Sequence, residues 1–230
     1  MRRLFITTSI AFILGGCGAQ DESAHATQAN SVPTAPDVVS MTLPELSVGL
    51  ANEAFSSVDL VQAYLGRIER IDRAGPKLNA VISVNKDALK LAQKSDLRRG
   101  EGRALSPLDG IPVLLKDNIE SRDQLATTAG STALLDNVTG RDSPLVAALR
   151  ASGAIILGKT NLSQWANFRS SHSVSGWSAV GGLVKNPHVL DRQACGSSSG
   201  SAAATAASLA AGTVGTETNG SIICPSQVHG

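Results

Sequence analysis

Three positions carry the chemistry that this sequence can do: Lys116, Ser197 and Ser221. Lys116 ends an apolar run, Gly-Ile-Pro-Val-Leu-Leu-Lys-Asp-Asn (110–118). Ser197 opens the serine run of Cys-Gly-Ser-Ser-Ser-Gly-Ser-Ala-Ala-Ala (195–204), and Ser221 sits in Gly-Thr-Glu-Thr-Asn-Gly-Ser-Ile (215–222). An isolated serine is a poor nucleophile, and an isolated lysine is a poor base because it is protonated at neutral pH. Burial changes the second statement, since it disfavours the charged amine and lowers its pKa. A serine–serine–lysine relay is therefore feasible chemistry and needs neither His nor Asp.

Each motif has a plainer reading when taken alone. The serine run can be a flexible Gly/Ser turn; the functional reading is that small residues before an Ala-rich helix let backbone N–H groups face an anion or a carbonyl oxygen. It is not a phosphate-binding P-loop, because no Gly-Lys-Ser/Thr follows. Thr218-Asn219-Gly220-Ser221 reads as a tight turn, with Asn and Gly tolerating positive φ. Such a turn can also aim several N–H groups into one concavity, as an oxyanion hole does. Lys116 can snorkel from a strand end, yet the continuous apolar stretch from Ile111 to Leu115 sets it at a core. The three together, in this order, make coincidence a poor account.

The elements that must position them alternate between helix and strand. Ser56-Ser57-Val58-Asp59 reads as a helix start, with a serine cap and an acid in the first turn. Val58, Leu60, Val61, Tyr64, Leu65, Ile68 and Ile71 recur at helical spacing until Gly75-Pro76. A strand is predicted over 78–84, a helix over 87–97, a buried strand over 110–116, a helix over 143–152 stopped by Gly153, and a buried strand over 154–157. A small-residue helix over 201–211 and a strand or loop from Val214 complete the pattern. This alternation predicts an α/β sheet covered on both faces. No closing helix or strand is predicted after the last motif, and the sequence reads as cut short at Gly230.

Residues 110–118, 159–169 and 195–225 resemble the amidase signature family. The match is closest to its peptide amidase branch, through Gly-Lys-Thr-Asn-Leu-Ser-Gln-Trp-Ala-Asn-Phe-Arg (158–169) and Ser-Gly-Trp-Ser-Ala (175–179). The resemblance runs from about Met41 to the end. It implies an amidase-signature fold, a central mixed sheet with helices on both faces, of which only the N-terminal portion is present. It implies hydrolysis of a carboxamide, such as the C-terminal amide of a peptide, through an acyl-enzyme. Ser221 then matches the nucleophile, Ser197 the bridging serine and Lys116 the general base, with the backbone N–H groups of Thr218, Asn219, Gly220 and Ser221 as the oxyanion hole. Ser199, Glu217 and Asn219 depart from the family's usual residues and bear on the shape of that turn. Trp165, Asn167, Phe168 and Trp177 are candidates to line an acyl pocket, with core packing as the competing role for the aromatics. Asp117 and Asn118 shape the turn after Lys116 and are candidates to orient its amine. The competing functions are an amidase of other small or lipid amides, amide transfer on charged tRNA, and an inactive lipid-anchored fragment.

Composition bounds the partners. The net charge is +1 over 230 residues, with 17% charged and 3% aromatic residues, so no nucleic-acid partner is expected. No metal-ligand spacing is visible among His25, His172, His188 and His229 or the three cysteines, and no cofactor is expected. Met-Arg-Arg followed by an apolar stretch over 4–16 reads as an export signal too short to span a bilayer. It ends in Leu-Gly-Gly-Cys (14–17), which is similar to a bacterial lipobox; the expectation is lipidation of Cys17 and membrane attachment through it, in a periplasm-facing lipoprotein. The expected organisation is a lipoprotein-type signal peptide over 1–17, a flexible polar tether over 18–40 and, as the resemblance implies, an amidase signature domain over 41–230 that is incomplete at its C-terminus. Cys195 and Cys224 read as two small buried thiols, with a disulfide open to them in an oxidising compartment.

Overall fold

The structure is a computed structural model that describes residues 35–230. The export signal, Cys17, His25 and most of the tether lie outside the described residues. The tether ends earlier than expected: Pro36 and Val38 are already buried.

Helix α1 (Leu43–Ala51) starts after Thr42. Helix α2 (Ser57–Arg67) starts as its sequence requires: Ser56 Oγ accepts the Asp59 N–H, and the Asp59 carboxylate accepts the Ser56 N–H. A wider π-helical turn (Ile68–Ala74) follows. Strand β1 (Val81–Val84), helix α3 (Ala88–Gly100) and strand β2 (Pro112–Lys116) come next, then helix α4 (Pro144–Ala151) and strand β3 (Ile155–Thr160). The short strands β4 (Trp177–Ser178) and β5 (Gly182–Leu183) form a separate antiparallel pair. Helix α5 (Ser199–Ala206), strand β6 (Gly212–Val214) and helix α6 (Ile223–His229) close the described chain. Helix α5 begins and ends earlier than expected, and α6 forms where no element was expected.

The main sheet has the order β1-β3-β2-β6. β2 runs parallel to both β3 and β6, while β1 is antiparallel to β3, so the sheet is mixed. Every residue of β2 and β3 is buried, which a strand achieves only when both faces of its sheet are covered. Leu114, Leu115, Ile156 and Leu157 form the centre of the core with Leu60, Val61 and Tyr64 from α2. Tight spacing explains the small residues of α5. At Gly200 a Cβ would meet Ala80 O at 2.4 Å and Asn161 O at 2.5 Å, and its N–H donates to Asn161 O; the helix start lies backbone to backbone against the end of β3.

β3 carries an irregularity where the site is built. Val113 pairs with Ile156 but Leu114 pairs with Gly158, so one extra residue stands on β3, as in a β-bulge. Gly158 at this point approaches β1 so closely that a Cβ would lie 2.1 Å from Ser83 O. Backbone cannot retreat as a flexible side chain can. Gly158→Ala is expected to lower unfolding free energy by roughly 1–3 kcal/mol or more, as overpacking does, measured by urea denaturation; an unchanged midpoint would refute the close approach.

Candidate active site

The carboxyl ends of the three parallel strands converge. Lys116 is the last residue of β2 and pairs with Thr160, the last of β3, and Thr216 follows two residues after β6. Ligand sites of open α/β sheets gather at this end of the strands. The loop leaving β2 is tied back to β3. Lys159 Nζ, also fully buried, donates to Ile119 O (2.6 Å) and Thr127 Oγ1 (2.8 Å), and the buried Asp117 carboxylate accepts from Thr128. Burial pushes the Asp117 carboxyl up and the Lys159 amine down, with the hydrogen bonds of Thr128 opposing the first shift and the charge of Asp117 the second.

The structure brings Lys116, Ser197 and Ser221 into one line. Lys116 Nζ lies 2.7 Å from Ser197 Oγ, and Ser197 Oγ lies 3.0 Å from Ser221 Oγ. Lys116 and Ser197 are wholly buried, while Ser221 is half-buried. Burial lowers the Lys116 pKa to about 8, against the opposing pull of the Glu217 charge. Ser197 follows a cis peptide bond from Gly196, and its carbonyl accepts the Ser163 N–H at 3.0 Å.

Thr216 was not singled out from the sequence, yet it touches the lysine twice. Lys116 Nζ donates to Thr216 O (3.1 Å) and to Thr216 Oγ1 (2.9 Å). Asn118 Nδ2 donates to the same hydroxyl at 3.0 Å, so Asn118 and the lysine share that acceptor. Ser198 joins the two serine segments: its N–H donates to Ser221 O, its hydroxyl donates to Thr216 O, and that hydroxyl accepts the Thr216 N–H.

The turn before Ser221 departs from expectation at one residue. Gly220 N–H donates to Glu217 Oε1 (2.8 Å), and Glu217 Oε2 accepts from Ile222 and Ile223 (2.8 and 2.9 Å). These three N–H groups hold the Glu217 carboxyl below its ordinary pKa. Gly220 is thus committed, whereas the N–H groups of Thr218, Asn219 and Ser221 make no hydrogen bond among the described residues. A longer acid at 217 reaches round the turn, which sequence spacing alone does not reveal.

The remaining candidates divide. Trp165 and Phe168 are exposed, the latter by 80%, which corrects the core-packing role for both. Trp165, Ala166 and Asn167 all have positive φ, a left-handed turn that no periodicity signals. Asn167 Nδ2 donates to Ser175 Oγ at 3.1 Å. Trp177 is half-buried, with the Arg169 guanidinium 5.4 Å from its ring centroid. Cys195 and Cys224 are not separate buried thiols: they form a disulfide with Cα atoms 6.0 Å apart, and both are half-buried.

Comparison with known proteins bears on the family and the fold. The Amidase family model matches residues 59–230. A probable amidase of Arabidopsis thaliana is 48% identical over 186 residues, covering 80% of this chain and 36% of that protein. The native peptide amidase of Stenotrophomonas maltophilia superposes with a TM-score of 0.81 at 50% identity, covering 84% of this chain and 39% of that one. A peptide amidase bound to the competitive inhibitor chymostatin superposes at 0.79 and 51% identity, over 83% of this chain and 39% of that one. The chain thus spans less than two-fifths of the length of these relatives. With the mixed sheet and the converging strand ends, these matches lead to one conclusion: the chain belongs to the amidase family and has its fold.

Proposed function

We propose that this protein is an amide hydrolase that cleaves a carboxamide, with the C-terminal amide of a peptide as its substrate class, through Ser221, Ser197 and Lys116. The observation that carries the reading is the unbroken contact from Lys116 Nζ through Ser197 Oγ to Ser221 Oγ, 2.7 and 3.0 Å, anchored on a buried amine. The likeness to peptide amidases supports the substrate class.

The chemistry follows from counting hydrogens. A neutral amine has two N–H groups and one lone pair. The carbonyl of Thr216 can only accept, so it takes one N–H, and the Thr216 hydroxyl takes the second. The lone pair is left facing Ser197 Oγ. Lys116 accepts the Ser197 proton, Ser197 accepts that of Ser221, and Ser221 Oγ attacks the amide carbon. Free N–H groups of Thr218, Asn219 and Ser221 are the donors for the developing oxyanion; one such donor is worth roughly 3 kcal/mol. The relay then returns a proton to the departing nitrogen, and water releases the acyl group from Ser221. Export and attachment through Cys17 complete the proposal. The Cys195–Cys224 disulfide supports the export, because such bonds persist in oxidising compartments.

Two experiments test this reading on the full-length protein. Ser221→Ala is expected to abolish ammonia release from peptide amides, and retained turnover would remove Ser221 from the role of nucleophile. For wild type, kcat/KM is expected to fall about tenfold per pH unit below a midpoint near 8 and to level off above it, since the ammonium form has no lone pair. Lys116→Ala should remove that limb; a surviving limb assigns the base elsewhere.

Thr216→Val tests the orienting contact separately. Both forms of the amine donate to the Thr216 hydroxyl, but the bond from the charged ammonium is the stronger, so loss of the hydroxyl disfavours the ammonium more and moves the midpoint lower. The same variant lets the amine turn, so the plateau rate is expected to drop about tenfold or more. A profile identical to wild type in midpoint and plateau would show that the hydroxyl contributes nothing.

A further inference from the structure

The Cys195–Cys224 disulfide lies across the hydrolytic centre. Cys195 stands two residues before Ser197 and Cys224 three residues after Ser221. The covalent ring so closed contains both serines, α5, β6 and the turn from Thr216 to Ser221. Ser221 needs such support. The residues that follow it, Ile222 and Ile223, are 39% and 67% exposed, so apolar packing does not seat this stretch. The Glu217 carboxylate holds the turn's shape, but all its partners lie within the next six residues of the same segment, Gly220, Ile222 and Ile223. On the near side, Ser198 is bonded to Thr216 and to the Ser221 carbonyl. On the far side, α6 is moored at its other end, where Asn186 Nδ2 donates to Val228 O. Between Ser221 and that mooring, the disulfide ties the nucleophile's segment to the segment of Ser197.

We propose that the Cys195–Cys224 disulfide is a positioning element of the Ser197–Ser221 pair, so that the hydrolytic rate responds to thiol–disulfide exchange. The proposal rests on the amide-hydrolase reading above. The reacting partner is a dithiol. Its thiolate attacks one cysteine sulfur, breaking the Cys195–Cys224 bond, forming a mixed disulfide and releasing the other cysteine as a thiolate. The partner's second thiol then displaces the first cysteine. Cys195 and Cys224 end as thiols, having gained two electrons and two protons, and the dithiol ends as its own disulfide. Both cysteines are half-buried, which leaves them open to such attack. Reduction removes the covalent tie on the far side of Ser221 and leaves the buried Pro225 and the hydrogen bonds at Val228 and His229 as the remaining anchors. The two hydroxyls must stay within hydrogen-bond reach for the relay to work, and a displacement of about 1 Å in reacting groups can cost about 10²-fold in rate.

The test compares the full-length protein before and after dithiothreitol, at a temperature where tryptophan fluorescence shows both forms folded. Alkylation and mass spectrometry of the 195 and 224 peptides report the redox state. Amide hydrolysis and the rate of fluorophosphonate labelling at Ser221 report function. Reduction is expected to lower kcat and the rate constant of labelling by about tenfold or more with KM changed by less than about threefold; loss of folded protein would lower the labelled fraction and leave that rate constant unchanged. Reoxidation should restore both rates. C195S/C224S should match the reduced protein and ignore dithiothreitol; if that variant fails to fold, the reversible treatment of wild type decides alone. Retention of kcat and labelling within about twofold, with both cysteines alkylated, would overturn the proposal; so would alkylation of both cysteines without reductant. If the oxidised protein neither hydrolyses amides nor labels at Ser221, the amide-hydrolase reading fails instead. Hydrogen exchange then decides the positioning role: faster exchange confined to 215–224 on reduction supports it, and unchanged exchange overturns it.

Discussion

A lysine amine shut away from water must meet a counter-charge or lose its proton more readily than usual. Lys116 is in that position, and the rest of the site follows from it. It has no solvent exposure, and the charge that opposes its deprotonation, Glu217, sits on the exposed turn and is spread over three N–H groups. Lowering the amine from 10.5 to about 8 corresponds to roughly 3 kcal/mol. The sign is a cost to folding. The unfolded chain holds the proton more tightly, so the cost is full below pH 8 and fades as pH rises towards 10.5. A fold that keeps such a residue does so for its chemistry rather than its stability.

The architecture explains how that cost is borne. Lys116 ends the central strand, with β3 on one side and β6 on the other, so its stem lies in the best-packed part of the sheet. The amine emerges where the parallel strands end and their backbone groups are free to serve a site. Thr216, just past β6, meets it with a carbonyl and a hydroxyl. Ser197, just before α5, meets it with a hydroxyl. Gly200 lets α5 close directly on the end of β3. These are neighbours because the strand order is β3-β2-β6, although Lys116 and Ser197 are distant in sequence.

Much of this was legible from the residues, for reasons that are local. The apolar run 111–115 forces burial whatever surrounds it, and so a buried amine at 116 could be expected. Ser56 with Asp59, and Gly153 after a helical stretch, are short-range signals that the chain obeys. What escaped is settled by tertiary contacts. Thr216 matters because β6 pairs beside β2, and nothing in Gly-Thr-Glu-Thr announces that. The pairing of Cys195 with Cys224 depends on where two segments meet, not on their spacing. Helix α6 buries only Pro225 and His229, too few apolar positions to show a period. The exposure of Trp165 and Phe168 follows from a left-handed turn built of residues that rarely adopt it.

The serine pair raises a different constraint from the lysine. Lys116 is held by the sheet, the most rigid part of the fold, whereas Ser221 is held by a turn whose following residues face solvent. The proposed relay would be only as well aligned as its loosest member, because proton transfer needs hydrogen-bond distance at both links. Three kinds of tie converge on that member: the Ser198 hydrogen bonds, the Glu217 carboxylate and the disulfide. The first sets its distance from Ser197. The second spans the turn and engages the Gly220 N–H, leaving those of Thr218, Asn219 and Ser221 without a hydrogen bond among the described residues. The third joins Cys224, three residues beyond Ser221, to Cys195, two residues before Ser197. Of the three, only the disulfide is free of Lys116: the Glu217 charge also opposes deprotonation of the amine, and Ser198 also holds the Thr216 that the amine contacts.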